Sequence, residues 1–467
     1  MTSPLYERQA TGGVVARDGF GYQDAYLLQH LPLLLSQSAF SHAASEVLGD
    51  IEVRYYRPGG GTYCVLYEAK RNQLTKTDLW QEVAHFHELH TAAPTEYVRF
   101  VLVCGDFVNE LLPLLRKLER LRGPAASLNE DSTVRASAEA EIVSTIVSLG
   151  QTAEIGQFVL EHVEFSKYDD SQVEGGFSNL LSQCFPVLNN LRNSETQALL
   201  KECKQLVAAS MKGGINRKTL EDILTRVAAS STVEWLTVPT GINLLAGSKD
   251  DFRNLPLDVG RFNGPDRGQL GAKAWANLLS ETEELGAFLL ASRSRRSVRL
   301  SAKQRMSLAC MLGFCFSATR NFVLQMEHNG TIFDTSLHDR DESVFFNQRV
   351  DFTKGDGVDG VVCISFPISG EKDVLTACEL FGLSQAPKVF LTSTRPLTDL
   401  AALNTAVNET KAALVDFRSR NRLKKLHLFI KAPSVFAMGL GHRLNGLGPV
   451  QLYDWIDIGY QPTALLG

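Results

Sequence analysis

Asp50, Glu68 and Lys70 are a set of residues suited to phosphodiester hydrolysis, and they stand within 21 positions of one another. Glu68 and Lys70 close the apolar run CVLYEAK, and side chains two apart on a strand share one face. Asp50 lies in LGDIEVRYY, and Arg57-Pro58-Gly59-Gly60-Gly61 joins the two runs as a hairpin. That hairpin brings Asp50 to the face of Glu68 and Lys70. Two carboxylates at one edge suit Mg2+ or another hard divalent cation, so Asp50 and Glu68 are the candidate metal ligands. A neighbouring ammonium orients water and stabilises charge developing on phosphate, which gives Lys70 its role. Glu52 shares the face of Asp50 as a reserve ligand. Gln81, one turn into the helical run KTDLWQEVAHFHELH, is a polar support for metal or water. His85, His87 and His90 follow on that helix. No carboxylate completes a zinc motif with them, so they read as surface or DNA-facing residues.

These residues need a frame. Residues 22–35 are apolar at helical spacing, with Pro32 expected to kink or end the helix. The two β-rich runs, the helix after them and the strand EYVRFVLVCGDF give an α-β-β-α-β order over residues 1–108. Residues 109–228 are polar and mostly helical, an extension or linker without a concentration of chemistry. From 232 to 467 the pattern changes. DGVVCISFPIS, KVFLTST, KLHLFIKA and PVQLYDW are buried strands alternating with amphipathic helices, which predicts a parallel Rossmann-like sheet.

Composition narrows the function. The 467 residues exceed one hydrophobic core, and 44% hydrophobic with 21% charged residues is ordinary for globular domains. No run approaches the roughly 18 apolar residues of a membrane span, and the N-terminus lacks a signal-peptide core, so a cytoplasmic protein is expected. Eight cysteines without a C-x-x-C pair read as reduced core thiols. A net charge of −5 argues against coating nucleic acid broadly but allows a local basic groove. Ser292–Arg299 is the densest basic run, equally a solvated face or a contact for phosphate or an acidic neighbour.

The 232–467 region carries no G-x-S-x-G, Walker or H-E-x-x-H motif. Its strand ends offer small, polar and cationic residues, and ligands of open α/β sheets bind where strands end and helices begin. Lys431 and Ser434 are the first candidates, then Phe366, Ser369, Thr392 and Ser393, with Ser317 and Arg320 ahead of NFVLQMEH. Phe366 or Phe436 offers a ring for a base.

The D-x17-E-x-K arrangement, with Gln23 of GFGYQ at the acidic or amide position of the first helix, resembles the PD-(D/E)xK nucleases. LSAKQRMSLACMLGF, NFVLQMEHNG and the ending KLHLFIKAPSVFAMGLGHRLNGLGPVQLYDW resemble the SAVED domain, a fusion of two CARF-like Rossmann units from bacterial anti-phage CBASS systems. The resemblances imply an α/β protein: a restriction-endonuclease-like domain, a helical middle region and a pair of CARF units. They imply a metal-dependent double-stranded DNA endonuclease activated by a cyclic oligonucleotide, a cyclic trinucleotide for choice, through ligand-induced homo-oligomerisation, with no membrane partner. The alternative is a nucleotide-binding regulator or assembly protein whose nuclease domain is inert.

Overall fold

A computed structural model describes residues 17–123, 132–210, 213–228, 239–242, 244, 252–255, 257–351 and 358–467, without the side chains of 17–20. The chain divides into two compact units, Met1–Trp235 and Leu236–Gly467.

The first unit is built on one sheet. Helix α1 (Arg17–Ser36) precedes β1 (Phe40–Ser45), β2 (Ile51–Tyr56) and β3 (Thr62–Leu74), and α2 (Lys76–Ala92) leads to β4 (Tyr97–Phe107). The order is therefore α-β-β-β-α-β, one strand more than the sequence suggests. FSHAAS, the missing strand, has weak alternation and gains its place by pairing antiparallel with β2. Strands β2 and β3 are antiparallel, while β3 and β4 run parallel across the α2 crossover.

The region after 109 belongs to the same unit. Helices α3 (Leu112–Arg122), α4 (Thr133–Ser148) and α5 (Ala153–His162) lead into β5 (Val163–Lys167), an edge strand parallel to β4. Beyond α6 (Val173–Cys184) and α7 (Asn193–Ala208), the two-residue β6 (Ile215–Asn216) pairs with β1 at the opposite edge. Helix α8 (Arg217–Val227) then supplies Arg217, whose guanidinium donates to the carbonyls of Leu35 and Gln37 at 2.7 and 2.9 Å. Leu35 lies in the last turn of α1, where carbonyls lack a partner within the helix, and Gln37 lies just past its end. This cap, with packing against α6 and α7, lets α1 run through Pro32 to Ser36 rather than stop there.

One core sets the active face. Cys64 and Leu66 of β3 and Phe100 and Leu102 of β4 pack on Leu79, Val83 and Phe86 of α2, all fully buried. Each such side chain contributes about 1.5–3 kcal/mol. Because Leu66, Glu68 and Lys70 alternate in phase, the core that buries Leu66 turns Glu68 and Lys70 toward α2 as well.

The second unit holds two sheets. The smaller has the order β10-β9-β8-β7, from β7 (Thr240–Gly241), β8 (Ser297–Ser301), β9 (Val323–His328) and β10 (Thr331–Asp334). The larger has the order β11-β13-β12-β14-β15-β16. Its parallel centre is β12 (Asp359–Ser365), β13 (Lys388–Thr392), β14 (Lys425–Lys431) and β15 (Val450–Ile456), as the alternating pattern predicts. Antiparallel β11 (Asn347–Asp351) and β16 (Gly459–Leu466) close its edges. Helices α9 (Ala272–Ser292), α10 (Met306–Cys315), α11 (Glu371–Leu380), α12 (Leu400–Asn421) and α13 (Ser434–Gly441) complete this pair of Rossmann-like halves.

Helices α10 and α13 cross in backbone contact. A Cβ on Gly313 would lie 2.0 Å from the Met438 carbonyl oxygen, and one on Gly441 would lie 2.0 Å from that of Cys310. Only glycine fits at either position. Among the described residues no helix is long and apolar enough to cross a membrane, and all eight cysteines are free thiols.

Candidate functional site

Asp50 stands in a turn rather than in the strand. Glu46 adopts a left-handed φ of 60°, and its N–H donates to the Asp50 carbonyl at 3.1 Å, closing the β1–β2 connection. The last β2–β3 register pair is Ile51 with Tyr67, which leaves Asp50 facing Glu68 just beyond the ladder. Asp50 Oδ2 accepts from the Ala69 N–H at 2.6 Å. Gly49 makes the approach possible: a Cβ there would meet Leu66 Cδ1 at 2.8 Å and Glu68 Oε1 at 3.0 Å.

Asp50, Glu68 and Lys70 converge on a cavity of about 120 Å³, lined also by Glu46, Val47, Leu48, Gly49, Glu82 and His85. Lys70 Nζ lies 3.4 Å from Glu68 Oε2 and 3.0 Å from Glu82 Oε1. Burial raises the carboxyl pKa of Asp50, against the pull of the Ala69 N–H and Lys70. Burial pushes Glu68 further, well above the carboxylate range, and the charge of Asp50 adds to it. Burial works against the Lys70 ammonium, but Glu68, Glu82 and Asp50 outweigh it and raise its pKa. Burial and crowding therefore both favour the neutral form of the two carboxyls, and Lys70 opposes them.

The other expectations divide. Gln81 is exposed and outside the cavity; the next residue, Glu82, lines it instead. Gln23 is buried and hydrogen-bonds the Glu46 side chain, so it supports the cavity through that residue. Glu52 is not a free ligand: it accepts from the Leu48 N–H at 3.0 Å and from Arg54 Nη2 at 2.6 Å. The alternation that put it with Asp50 stops at Ile51. His85 lines the cavity, whereas His90 packs on His162 and donates its Nδ1–H to the Tyr97 carbonyl, and His87 lies on Phe158. Glu46 and Glu82 are the residues that sequence reasoning missed. Glu82 had a signal: it falls on the helix face of Leu79, Val83 and Phe86, where a carboxylate is out of place.

In the second unit, Thr392, Ser365 and Lys431 form one row across the carboxyl ends of β13, β12 and β14. Lys431 Nζ donates to the Ser369 carbonyl and to Asp373 Oδ2, both at 3.2 Å. Ser393 is buried, with its N–H on the Ser365 carbonyl and its Oγ accepting from the Arg395 N–H. Ser434 begins α13 at the same end. Phe366 and Phe436 do not offer free rings. They are 2% and 0% exposed, packed edge-on with each other and with Phe346, because β12 ends into this aromatic core.

Ser317 and Arg320 lie elsewhere. The Ala318 N–H bonds the His442 carbonyl just past the end of α13, one helix length, about 12 Å, from Ser434. They sit before β9, at the amino ends of its sheet. Asp454, near the carboxyl end of β15, was missed by the sequence reading. It is 4% exposed, its Oδ2 has no hydrogen-bond partner among the described residues, and the charges of Arg267 and Arg305 act on it. In the basic run, Arg293 is not exposed: it is 3% accessible and donates to Thr240 Oγ1, leaving Arg296 and Arg299 at the surface.

The fold is that of an endonuclease domain with a C-terminal sensor domain, and comparison with known proteins agrees. Residues 11–206 match the family described as Cap4, dsDNA endonuclease domain. Residues 282–466 match SAVED, the SMODS-associated and fused to various effectors sensor domain. CD-NTase-associated protein 4 of an Acinetobacter sp. is 42% identical over 468 residues, and that of Moraxella osloensis 40%, each covering 100% of both chains. The Acinetobacter baumannii Cap4 SAVED/CARF-domain containing receptor with the cyclic trinucleotide 3'3'3'-cAAA superposes with a TM-score of 0.89 at 39% identity, covering 97% of this chain and 99% of that one. The Moraxella osloensis receptor gives 0.85 at 37%, covering 97% and 100%. The chain is a DNA endonuclease with a C-terminal SAVED domain. It belongs to the CD-NTase-associated protein 4 (Cap4) family of CBASS antiviral defence.

Proposed function

We propose that this protein cuts double-stranded DNA at Asp50, Glu68 and Lys70, using Mg2+ or a similar divalent cation, when a cyclic trinucleotide occupies the SAVED unit. The convergence of two carboxylates and a lysine in one cavity carries the reading. Asp50 and Glu68 fit a hard cation because each is crowded by the other and their charge is only partly met by Lys70. When bound, such a cation supplies a Lewis acid for phosphodiester hydrolysis. Lys70 adds an ammonium that orients the attacking water and stabilises phosphate charge, and Gln23 steadies Glu46 at the rim.

The ligand site lies at the carboxyl ends of the larger sheet. Lys431, Thr392 and Ser369 present a cation and hydroxyls to a phosphate, and the buried Ser393 and Ser434 lie behind them, Ser434 at the start of α13. A relative of this length holds a cyclic trinucleotide, 3'3'3'-cAAA.

The distribution of charge supports activation by self-association. Residues 1–235 carry 21 Lys and Arg against 29 Asp and Glu, while residues 236–467 carry 26 against 23. An acidic nuclease unit gains little DNA affinity alone, and linking copies raises avidity by ~10²–10⁴ without new contacts. Digestion of plasmid with and without Mg2+, and with and without cyclic trinucleotide, tests the reading. Cleavage is expected only with both, and Lys70→Ala should lower it about 10²–10³-fold while leaving ligand binding intact. Undiminished cutting by that variant rules out this active site.

A further inference from the structure

We propose that Glu82 is a positioning residue of the nuclease, holding the Lys70 ammonium over the Asp50–Glu68 pair; this rests on the reading of those three residues as the catalytic set. Lysine is a point charge on a flexible stem, and the Lys70 side chain is 40% exposed, so burial alone does not fix where its charge sits. Two carboxylates fix it. Glu82 Oε1, at 3.0 Å, is nearer than Glu68 Oε2, at 3.4 Å.

The backbone of Glu82 is held firmly. Thr75 caps α2 by accepting from the Asp78 N–H, and Leu79, Val83 and Phe86 bury the helix on the sheet. Glu82 sits on that apolar face at 17% exposure, and among the described residues Lys70 is its only ion-pair partner. A carboxylate in that place costs desolvation that packing of the helix does not require. It also works against the reaction, because it adds negative charge where a DNA phosphate must arrive. Placement of Lys70 is the benefit that offsets both.

The inference predicts a split between binding and turnover. Glu82→Gln keeps the shape and an acceptor oxygen but removes the charge. In the full chain with Mg2+ and 3'3'3'-cAAA, kcat for plasmid cleavage should fall about 10-fold, and for Glu82→Ala about 100-fold, the scale of a misplaced catalytic group. KM should fall or stay level in both, because a charge repelling phosphate is gone. Fluorescence anisotropy with duplex DNA in EDTA should show affinity equal to or above that of the unsubstituted protein. Glu82→Asp, which keeps the charge one methylene short, should recover part of the lost kcat.

A residue that merely stabilised the helix would lower the unfolding temperature and leave kcat of the folded protein unchanged. That result for Glu82→Gln overturns the proposal. Lys70→Ala is the control that separates the two claims. If it cuts normally, the catalytic set itself is wrong. If it is inactive while Glu82→Gln turns over at full kcat, only the role of Glu82 falls.

Discussion

Replacing Gly49 with alanine puts a methyl group where Leu66 Cδ1, Leu66 Cγ and Glu68 Oε1 already lie at 2.8, 2.9 and 3.0 Å from the Cβ position. Carbon atoms prefer about 3.5–4.0 Å, so the contact must open by roughly 0.7 Å. Leu66 is fully buried in the β3–α2 core and has no space to retreat. The relief therefore falls partly on the turn that carries Asp50 and partly on Glu68. Overpacking of this kind costs ~1–3 kcal/mol, and about 2 kcal/mol lowers the unfolding temperature of a unit this size by about 4–8 °C. Separation of Asp50 from Glu68 should reduce cleavage by about 100-fold, because positioning errors near 1 Å have that effect. Thermal unfolding and plasmid digestion of Gly49→Ala, with cyclic trinucleotide titrated in parallel, make the assay. Ligand binding should be unchanged. A variant with normal unfolding and a normal cutting rate refutes the claim that Gly49 sets the Asp50–Glu68 approach.

Two further outcomes follow from the second unit. Lys431→Ala removes the cation at the end of β14 and should weaken cyclic trinucleotide binding by ~1–3 kcal/mol in a calorimetric titration; unchanged affinity moves the pocket elsewhere on the sheet. Burial pushes the Asp454 carboxyl up to about 6 from 3.8, with Arg267 and Arg305 pulling the other way. The folded unit thus binds that proton more tightly than the unfolded chain, so its stability falls as pH rises from about 4 to about 6, by ~3 kcal/mol in all. Asp454→Asn should lose this slope and unfold at a higher temperature than the parent above about pH 6; parallel melting curves across that range would show that Asp454 is not the group responsible.

Much of this architecture is legible in the sequence because local periodicity carries it. The four parallel strands of the larger sheet are short apolar runs between amphipathic helices, and their ends are where ligand residues were sought. Glu68 and Lys70 were legible for the same reason, being two apart on a strand. What escaped depends on pairing across distance. FSHAAS becomes β1 only beside β2, and VEFSK becomes β5 only against β4, more than fifty residues earlier. The α1 helix survives Pro32 with a cap from Arg217, far along the chain. At the cavity, Gln81 and Glu82 differ by one position, and helix phase against Leu79, Val83 and Phe86 chooses Glu82. Ser317 and Arg320 precede a strand, so they fall at the amino end of its sheet, opposite to where the rule for open sheets places ligands.

Light scattering and DNA cleavage measured together, while cyclic trinucleotide is titrated into the full chain with Mg2+, decide whether ligand switches on cutting by assembling the protein. A largely monomeric and nearly inactive protein is expected at the start. Mass and cutting rate should then rise over the same ligand range, with Lys431→Ala displacing both curves to higher concentration together. A ligand-bound monomer that cuts at full rate, or a protein that cuts equally well without ligand, would contradict activation by assembly.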